Sequence, residues 1–311
     1  MTDTAGTDTA GTDAVRRYRI VHRTTYRYSG TVTSSYGRGY LMPRDTGEQR
    51  VVDTAVTVEP APGDTSTGVD IWGNRDVYFH VVEPHDTLVV TARSVVEVSR
   101  PDPALWTVGP ALQPWESARP ATAGGALATD FVLDLEPAEI DDSVIEYAAA
   151  TFVPGRPLGE AIVELTHRIF TDFTYCSGST SVSTRVSEVL AARAGVCQDF
   201  ARLAIACLRA NGLAAQYVSG YLATDPPPGK ERMIGVDATH AWAAVWLPGD
   251  RWLAFDPTND QLVDERYTTV GWGRDYADVP PLRGVIYTEA KDSSIDVSVD
   301  VAPITKDGFD A

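Results

Sequence analysis

The chain has 311 residues, 43% of them apolar and 22% charged, enough for a well-buried core and two domains of ordinary size. Its formal net charge of −17 repels phosphate backbones and anionic lipid surfaces, so neither nucleic acid nor a membrane is an expected partner. No apolar run approaches the ~20 residues of a membrane helix. The polar, acidic, repetitive start MTDTAGTDTAGTDA also lacks the basic and apolar regions of a signal peptide. A disordered tail over 1–14 and a cytoplasmic location are the expectations.

From 15 to 100 the pattern is β. YRIVHRTTYRYS alternates, with Tyr18, Ile20, His22, Thr24, Tyr26 and Tyr28 on one face. VVDTAVTVEP, DVYFHVVEP and TLVVTARSVVEV read as further strands, with a turn at Gly73-Asn74. His22, His80 and His85 fit strand-surface or core positions better than ligand positions. Residues 101–155 form a connecting segment rich in Pro, Gly and Ala, with a helix predicted within EPAEIDDSVIEYAAATF. The remainder, 156–311, reads as an α+β core with C-terminal strands. Ile162, Leu165, Ile169 and Phe173 make one helical face, with His167 to its side. Ser187 is placed at the cap of a short helix. The next helix starts around Cys197, buries Phe200, Leu203, Ala204, Cys207 and Leu208, and stops at Asn211-Gly212. AAQYVSGYLAT is a strand and DPPPGKER a loop. THAWAAVWLPGDRWLAFDPTN makes two strands turning at Pro248-Gly249-Asp250. SSIDVSVDVAPI is a last strand whose sheet the alternation leaves open.

Three cysteines, Cys176, Cys197 and Cys207, are no disulfide framework and lack the paired spacing of a zinc site. No EF-hand loop occurs, and no metal or cofactor is expected. A thiol attacks as thiolate, and a free cysteine titrates near ~8.5. A helix N-terminus and a neighbouring histidine both favour the anion. Cys197 has the first device, after a Gly195 expected to let the chain turn tightly. The N–H groups there also suit a developing oxyanion. Among five histidines, His240 stands out at the start of a nearly all-apolar strand. Asp256 interrupts the next apolar run, and an antiparallel hairpin about Pro248-Gly249 makes the two neighbours. Asp256 would then hold the His240 tautomer, as the third member of a triad does. Asp237 is the alternative orienter, although a strand-start capping role suits it better.

GVCQDFARLAIACLRANGLAAQYVSGYL, DATHAW and WLAFDPTN, in that order over about residues 185 to 260, resemble the core of the transglutaminase-like superfamily, a branch of the papain-like thiol enzymes. GYLMPRDTGEQR, WGN, ARSVVEV and GRDYADVPPLRGV resemble bacterial transglutaminase-like proteins with a β-rich N-terminal region. The resemblance implies an all-β N-terminal domain and a papain-like core whose helix packs on an antiparallel sheet. It further implies a Cys197 nucleophile, a His240 base, an Asp256 orienter and acyl-enzyme chemistry on an amide of a protein or peptide. Cys176 departs from the family pattern, which more often has a polar or acidic residue there. The sequence does not fix the second oxyanion donor; Tyr175 and Gln198 are candidates, and Trp242 is a core residue able to wall the cleft. Asp199 suits the helix dipole, and Cys207 is an inert core thiol. The acyl acceptor stays open: water gives a peptidase or amidase, an amine a transglutaminase. A binding or scaffold protein that keeps the fold without turnover is the second class. The β domain is a candidate for partner contact.

Overall fold

A computed structural model describes residues 15–107, 109–134, 138–224 and 239–304, which form an α+β molecule. The tail 1–14, the DPPPGKER segment and Asp237 lie outside the described residues. Among the described residues no helix is long and apolar enough to cross a membrane.

An antiparallel β half-barrel is built around one strand, β1 (Arg16–Gly39). Tyr18, Ile20, His22 and Thr24 are buried on it, as the alternation predicts. At 24 residues it runs well past the twelve-residue stretch read from the sequence. Four more strands follow: β2 (Gln49–Glu59), β3 (Asp64–Val69), β4 (Arg75–Val81) and β5 (His85–Val98). The first half of β1 pairs with β5 and the second half with β4, with a register shift between Arg27 and Val32. Gly73 has φ +80° in the β3–β4 turn, where the Asp70 carboxylate accepts from the Trp72 and Asn74 N–H groups. None of the three histidines here is a ligand-like group. His22 meets Tyr221, His80 stacks on Tyr36 at 4.0 Å, and His85 bonds Ser35.

Short helical turns occupy much of the connecting segment and bury Trp115, Ala118, Ala128 and Phe131. Helix Asp142–Ala149 starts where the Asp141 carboxylate caps the Ser143 and Val144 N–H groups. Helix Leu158–Asp172 buries Ile162, Leu165 and Ile169 completely. Helix Val186–Ala192 corrects the expected cap: Ser187 lies inside it, and Arg185 is the N-cap. Val186 is buried and draws the helix start forward, while the Glu188 carboxylate accepts the Arg185 N–H at 2.8 Å. Two-residue strands β6 (Thr174–Tyr175) and β7 (Ala194–Gly195) pair in parallel beside it.

Helix Cys197–Ala210 is the centre of the core. It ends as Asn211-Gly212 predicts. Gly212 has φ +74°, and the Leu213 and Gly212 N–H groups donate to the Leu208 and Arg209 carbonyls. Phe200, Leu203, Ala204, Cys207 and Leu208 are each at most 2% exposed. They pack with Ala241, Ala243 and Val245, small side chains that let the helix approach its sheet closely. Each large apolar side chain buried here contributes about 2 kcal/mol. Burial pushes the Cys207 thiol up to about 12, as befits an inert core thiol.

The second sheet contains β8 (Ala215–Leu222), β9 (Thr239–Leu247), β10 (Arg251–Asp256), β11 (Gln261–Leu262) and β12 (Tyr267–Gly273), in the order β11-β10-β9-β8-β12. The chain then returns to the half-barrel. There β13 (Arg283–Thr288) pairs with the second half of β1, and β14 (Ser293–Pro303) with the first. That answers the question the alternation left open, because alternation marks the buried face of a strand and not its neighbour.

A buried polar contact ties the two sheets together: His22 Nδ1 lies 3.0 Å from the Tyr221 hydroxyl. Burial lowers the His22 ring from 6.5 to about 4. Between those pH values the unfolded chain binds a proton that the folded chain refuses. His22 therefore supports the fold fully above that window and progressively less as pH falls through it. Moving from pH 7 to pH 5 should cost about 2 kcal/mol through His22 alone. Urea unfolding of the wild-type protein and His22→Phe at both pH values measures it, and the same pH dependence in both proteins would refute the assignment.

Candidate active site

Cys197 is the first residue of its helix and half-buried. Val196 before it is extended, with φ −121° and ψ −179°, and its carbonyl accepts from the Asp199 and Phe200 N–H groups. The Cys197 and Gln198 N–H groups belong to the first turn and have no helical acceptor. The Asp199 carboxylate does more than suit the dipole. It accepts the Val196 N–H at 2.8 Å and the Thr180 hydroxyl at 2.6 Å, and so fixes the strand-to-helix corner. Gly195 is needed for a reason other than the expected tight turn. It belongs to β7, outside the positive-φ residues, and a β-carbon there would lie 2.9 Å from the Asp199 β-carbon and carboxylate.

His240 and Asp256 come together from the hairpin. The β9–β10 ladder pairs Leu247 with Arg251 and ends at Ala243 with Phe255, so the two functional side chains meet diagonally just beyond it. His240 Nε2 lies 2.7 Å from Asp256 Oδ2. The Cys197 side chain acts on the same ring, through a hydrogen bond and through its charge. The structure therefore brings Cys197, His240 and Asp256 together. Burial alone would lower the His240 ring. The Asp256 and Cys197 hydrogen bonds and charges outweigh it and raise the ring to about 10.

Asp256 is 0% exposed, and four donors converge on it. Oδ2 accepts from His240, from Asn259 Nδ2 at 2.7 Å and from the Tyr267 hydroxyl at 2.7 Å; Oδ1 accepts the Thr258 N–H at 2.8 Å. Burial would raise this carboxyl, but the hydrogen bonds from His240, Asn259 and Tyr267 and the His240 charge hold it below its ordinary value. Gln261 in turn donates to the Tyr267 hydroxyl, and Arg266 donates to the Gln261 side-chain oxygen at 2.8 Å. Tyr267, Asn259 and Gln261 escaped the sequence reading. Asn259 stood in the WLAFDPTND run; Tyr267, on another strand, carried no local signal.

The remaining candidates fall in different places. Trp242 is 1% exposed and packs under His240, with ring centroids 6.1 Å apart, and edge-on to Tyr267 at 5.2 Å. It is a supporting wall rather than a cleft surface. Tyr175 is 55% exposed and pairs with Gly195, two residues before the thiol; burial, then the Cys197 charge, raises its hydroxyl. Gln198 is half-buried, and its amide has no hydrogen bond among the described residues. Cys176 is exposed just past β6, its N–H donating to the Gly195 carbonyl. His167 is turned outward and held by Asp260 at 2.8 Å. Among the described residues no group of three or more His, Cys, Asp or Glu side chains could hold a metal ion.

With this geometry in view, comparison with known proteins places the chain. Residues 18–97 match the bacterial transglutaminase-like N-terminal region, and residues 146–257 match the transglutaminase-like superfamily. The chain is 66% identical over 299 residues to an uncharacterized protein of Mycobacterium tuberculosis, covering 95% of both. An uncharacterized protein of Mycobacterium leprae is 32% identical over 290 residues, which is 92% of this chain and 98% of that one. A protein-glutamine gamma-glutamyltransferase of Pseudomonas aeruginosa matches over 75 residues at 36% identity, 24% of this chain and 11% of that protein. A solved Cytophaga hutchinsonii protein, provisionally described as a cysteine protease, shares the fold with a TM-score of 0.73 at 20% identity, over 94% of this chain and 92% of that one. This chain belongs to the transglutaminase-like superfamily, in the bacterial form with a β-rich N-terminal region.

The grouping of these three residues makes a spectroscopic expectation. His240 should keep its ring proton beyond pH 8 in the resting protein, and Asp256→Asn should move its titration down by more than about one pH unit. A histidine NMR titration reads this, and a wild-type His240 already neutral at pH 7 would contradict it.

Proposed function

We propose that this protein is a thiol enzyme that cleaves an amide of a protein or peptide substrate through Cys197, His240 and Asp256. The observation that carries the reading is the buried Asp256 carboxylate, held by four donors and aimed at His240, which is itself bonded to a thiol at a helix start. A buried charge so elaborately satisfied has a use in stabilising an imidazolium. Cys197 Sγ attacks the amide carbon. The Cys197 and Gln198 N–H groups face the oxyanion, with Tyr175 beside them. As the C–N bond breaks, His240 gives its proton to the departing ammonia or amine, and a thioester remains. His240 then takes a proton from the acceptor as that acceptor displaces the thiol.

The acceptor is water or an amine. The two named relatives, a gamma-glutamyltransferase and a provisional protease, stand for these two outcomes. We also place the protein in a reducing compartment, the cytoplasm, because Cys197 acts only as a free thiol.

Iodoacetamide should alkylate Cys197 faster than both Cys176 and Cys207, by at least about 10²-fold over the latter. On a glutamine-containing peptide with a primary amine present, ammonia release should fall by at least about 10³-fold in Cys197→Ala. The ratio of amine-linked to free-acid product assigns the acceptor. Equal labelling of all three cysteines, with no turnover of any amide, would favour a scaffold that keeps the fold.

Tyr267 is a positioning residue in this scheme. Tyr267→Phe removes one donor to Asp256 and should lower kcat by roughly 10-fold with KM little changed. It should also shift the pH limb that reports His240. A loss of activity with an unmoved pH profile would mean Tyr267 serves only the fold.

A further inference from the structure

The second sheet has two unlike faces. One rests Ala241, Ala243 and Val245 on the Cys197 helix. The other looks toward the half-barrel across a cavity of about 350 Å3, walled by the half-buried Trp106, Trp252 and Trp272, with the buried Trp242 and Tyr267 behind them. That volume lies within the range of small-molecule sites and is many times that of a water molecule. Gln216 of β8 also lines it. Gln216 is only 4% exposed, yet its side-chain amide makes no hydrogen bond among the described residues. The amide opens onto the cavity, so its hydrogen bonds come from whatever occupies that space. The ionised residues at the cavity do not dictate a charged ligand. Glu48, Asp250 and Arg251 are exposed at its rim, and Asp264 is occupied by Arg266.

We propose that this cavity binds a small, uncharged, planar aromatic molecule bearing an adjacent N–H and C=O, a lactam or carboxamide edge that pairs with Gln216 while the ring packs among the tryptophans. Aromatic walls supply contact area at little entropic cost, and the Gln216 amide supplies orientation, since the Gln49 amide that also lines the cavity is occupied by Arg44 and Thr269. The inference is independent of the chemistry at Cys197, although Trp242 and Tyr267 are shared by the cavity wall and the His240 support.

The probe is 2-pyridone, titrated into the full chain by calorimetry and ligand-detected NMR, with N-methyl-2-pyridone as the analogue lacking the donor. Saturable binding of 2-pyridone is expected, weakened at least about 10-fold by N-methylation and by Gln216→Leu. Ala244→Leu, on the β9 residue paired with Gln216 and lining the same cavity, should abolish it by filling the space. Chemical modification of Cys197 should leave it intact. Absence of saturable binding in the wild-type protein overturns the proposal, as does binding indifferent to N-methylation and to Gln216→Leu. The comparison of the two probes on wild-type protein decides the matter even if a variant fails to fold.

Discussion

A carboxylate with no solvent exposure must be satisfied from within the fold or cost several kcal/mol. Asp256 is in that position, and its four donors come from three separate stretches: His240 on β9, Thr258 and Asn259 in the turn after β10, and Tyr267 at the start of β12. Tyr267 reaches Asp256 across the width of the sheet, because β12 lies on the far side of β8 and β9. Room for this comes partly from Gly220, opposite His240, where a β-carbon would meet the Trp242 ring at 2.5 Å and the Thr268 carbonyl at 2.1 Å. The register of four strands is thereby tied to one charge, and the histidine is placed as a result.

The thiol is placed by a different means. Its helix is anchored along its length by apolar packing, and its first turn by the Asp199 carboxylate. Asp199 cannot move inward without striking Gly195, and Gly195 is fixed in turn by the β6–β7 pair. One partner of the dyad is thus located by helix packing and the other by a hydrogen-bonded sheet end. A hydrogen bond between them requires both locations to be held to a fraction of an ångström.

What the sequence revealed follows from the range of each signal. The helix start at Cys197 and its glycine stop are local, set by residues within a turn. The β9–β10 hairpin is also local, and its turn residues Gly249 and Asp250 do adopt positive φ. Asp256 could therefore be brought near His240 without coordinates. Tyr267 could not, since a tyrosine in RYTTV reads like any strand aromatic and its role depends on a sheet order that places β12 beside β8. At helix Val186–Ala192 the sequence points to Ser187 because a serine is a strong cap by type, whereas the burial of Val186 is a tertiary fact. For Gly195 the sequence suggests the commonest reason for a glycine, backbone freedom, whereas the operative one is close approach by Asp199.

The sheet order carries one more consequence. The first and last strands of the described chain, β1 and β14, are neighbours over eleven consecutive residue pairs from Tyr18 to Tyr28. Everything from the connecting segment through β12 is therefore an insertion between strands of a single half-barrel, not a second bead on a string. An insertion anchored at both ends loses less freedom when it docks than a tethered domain would. The buried His22–Tyr221 contact and the shared apolar cluster then need only align two bodies that the chain already holds together. That economy explains how the half-barrel and the tryptophan-rich second sheet stay in fixed positions around the space between them.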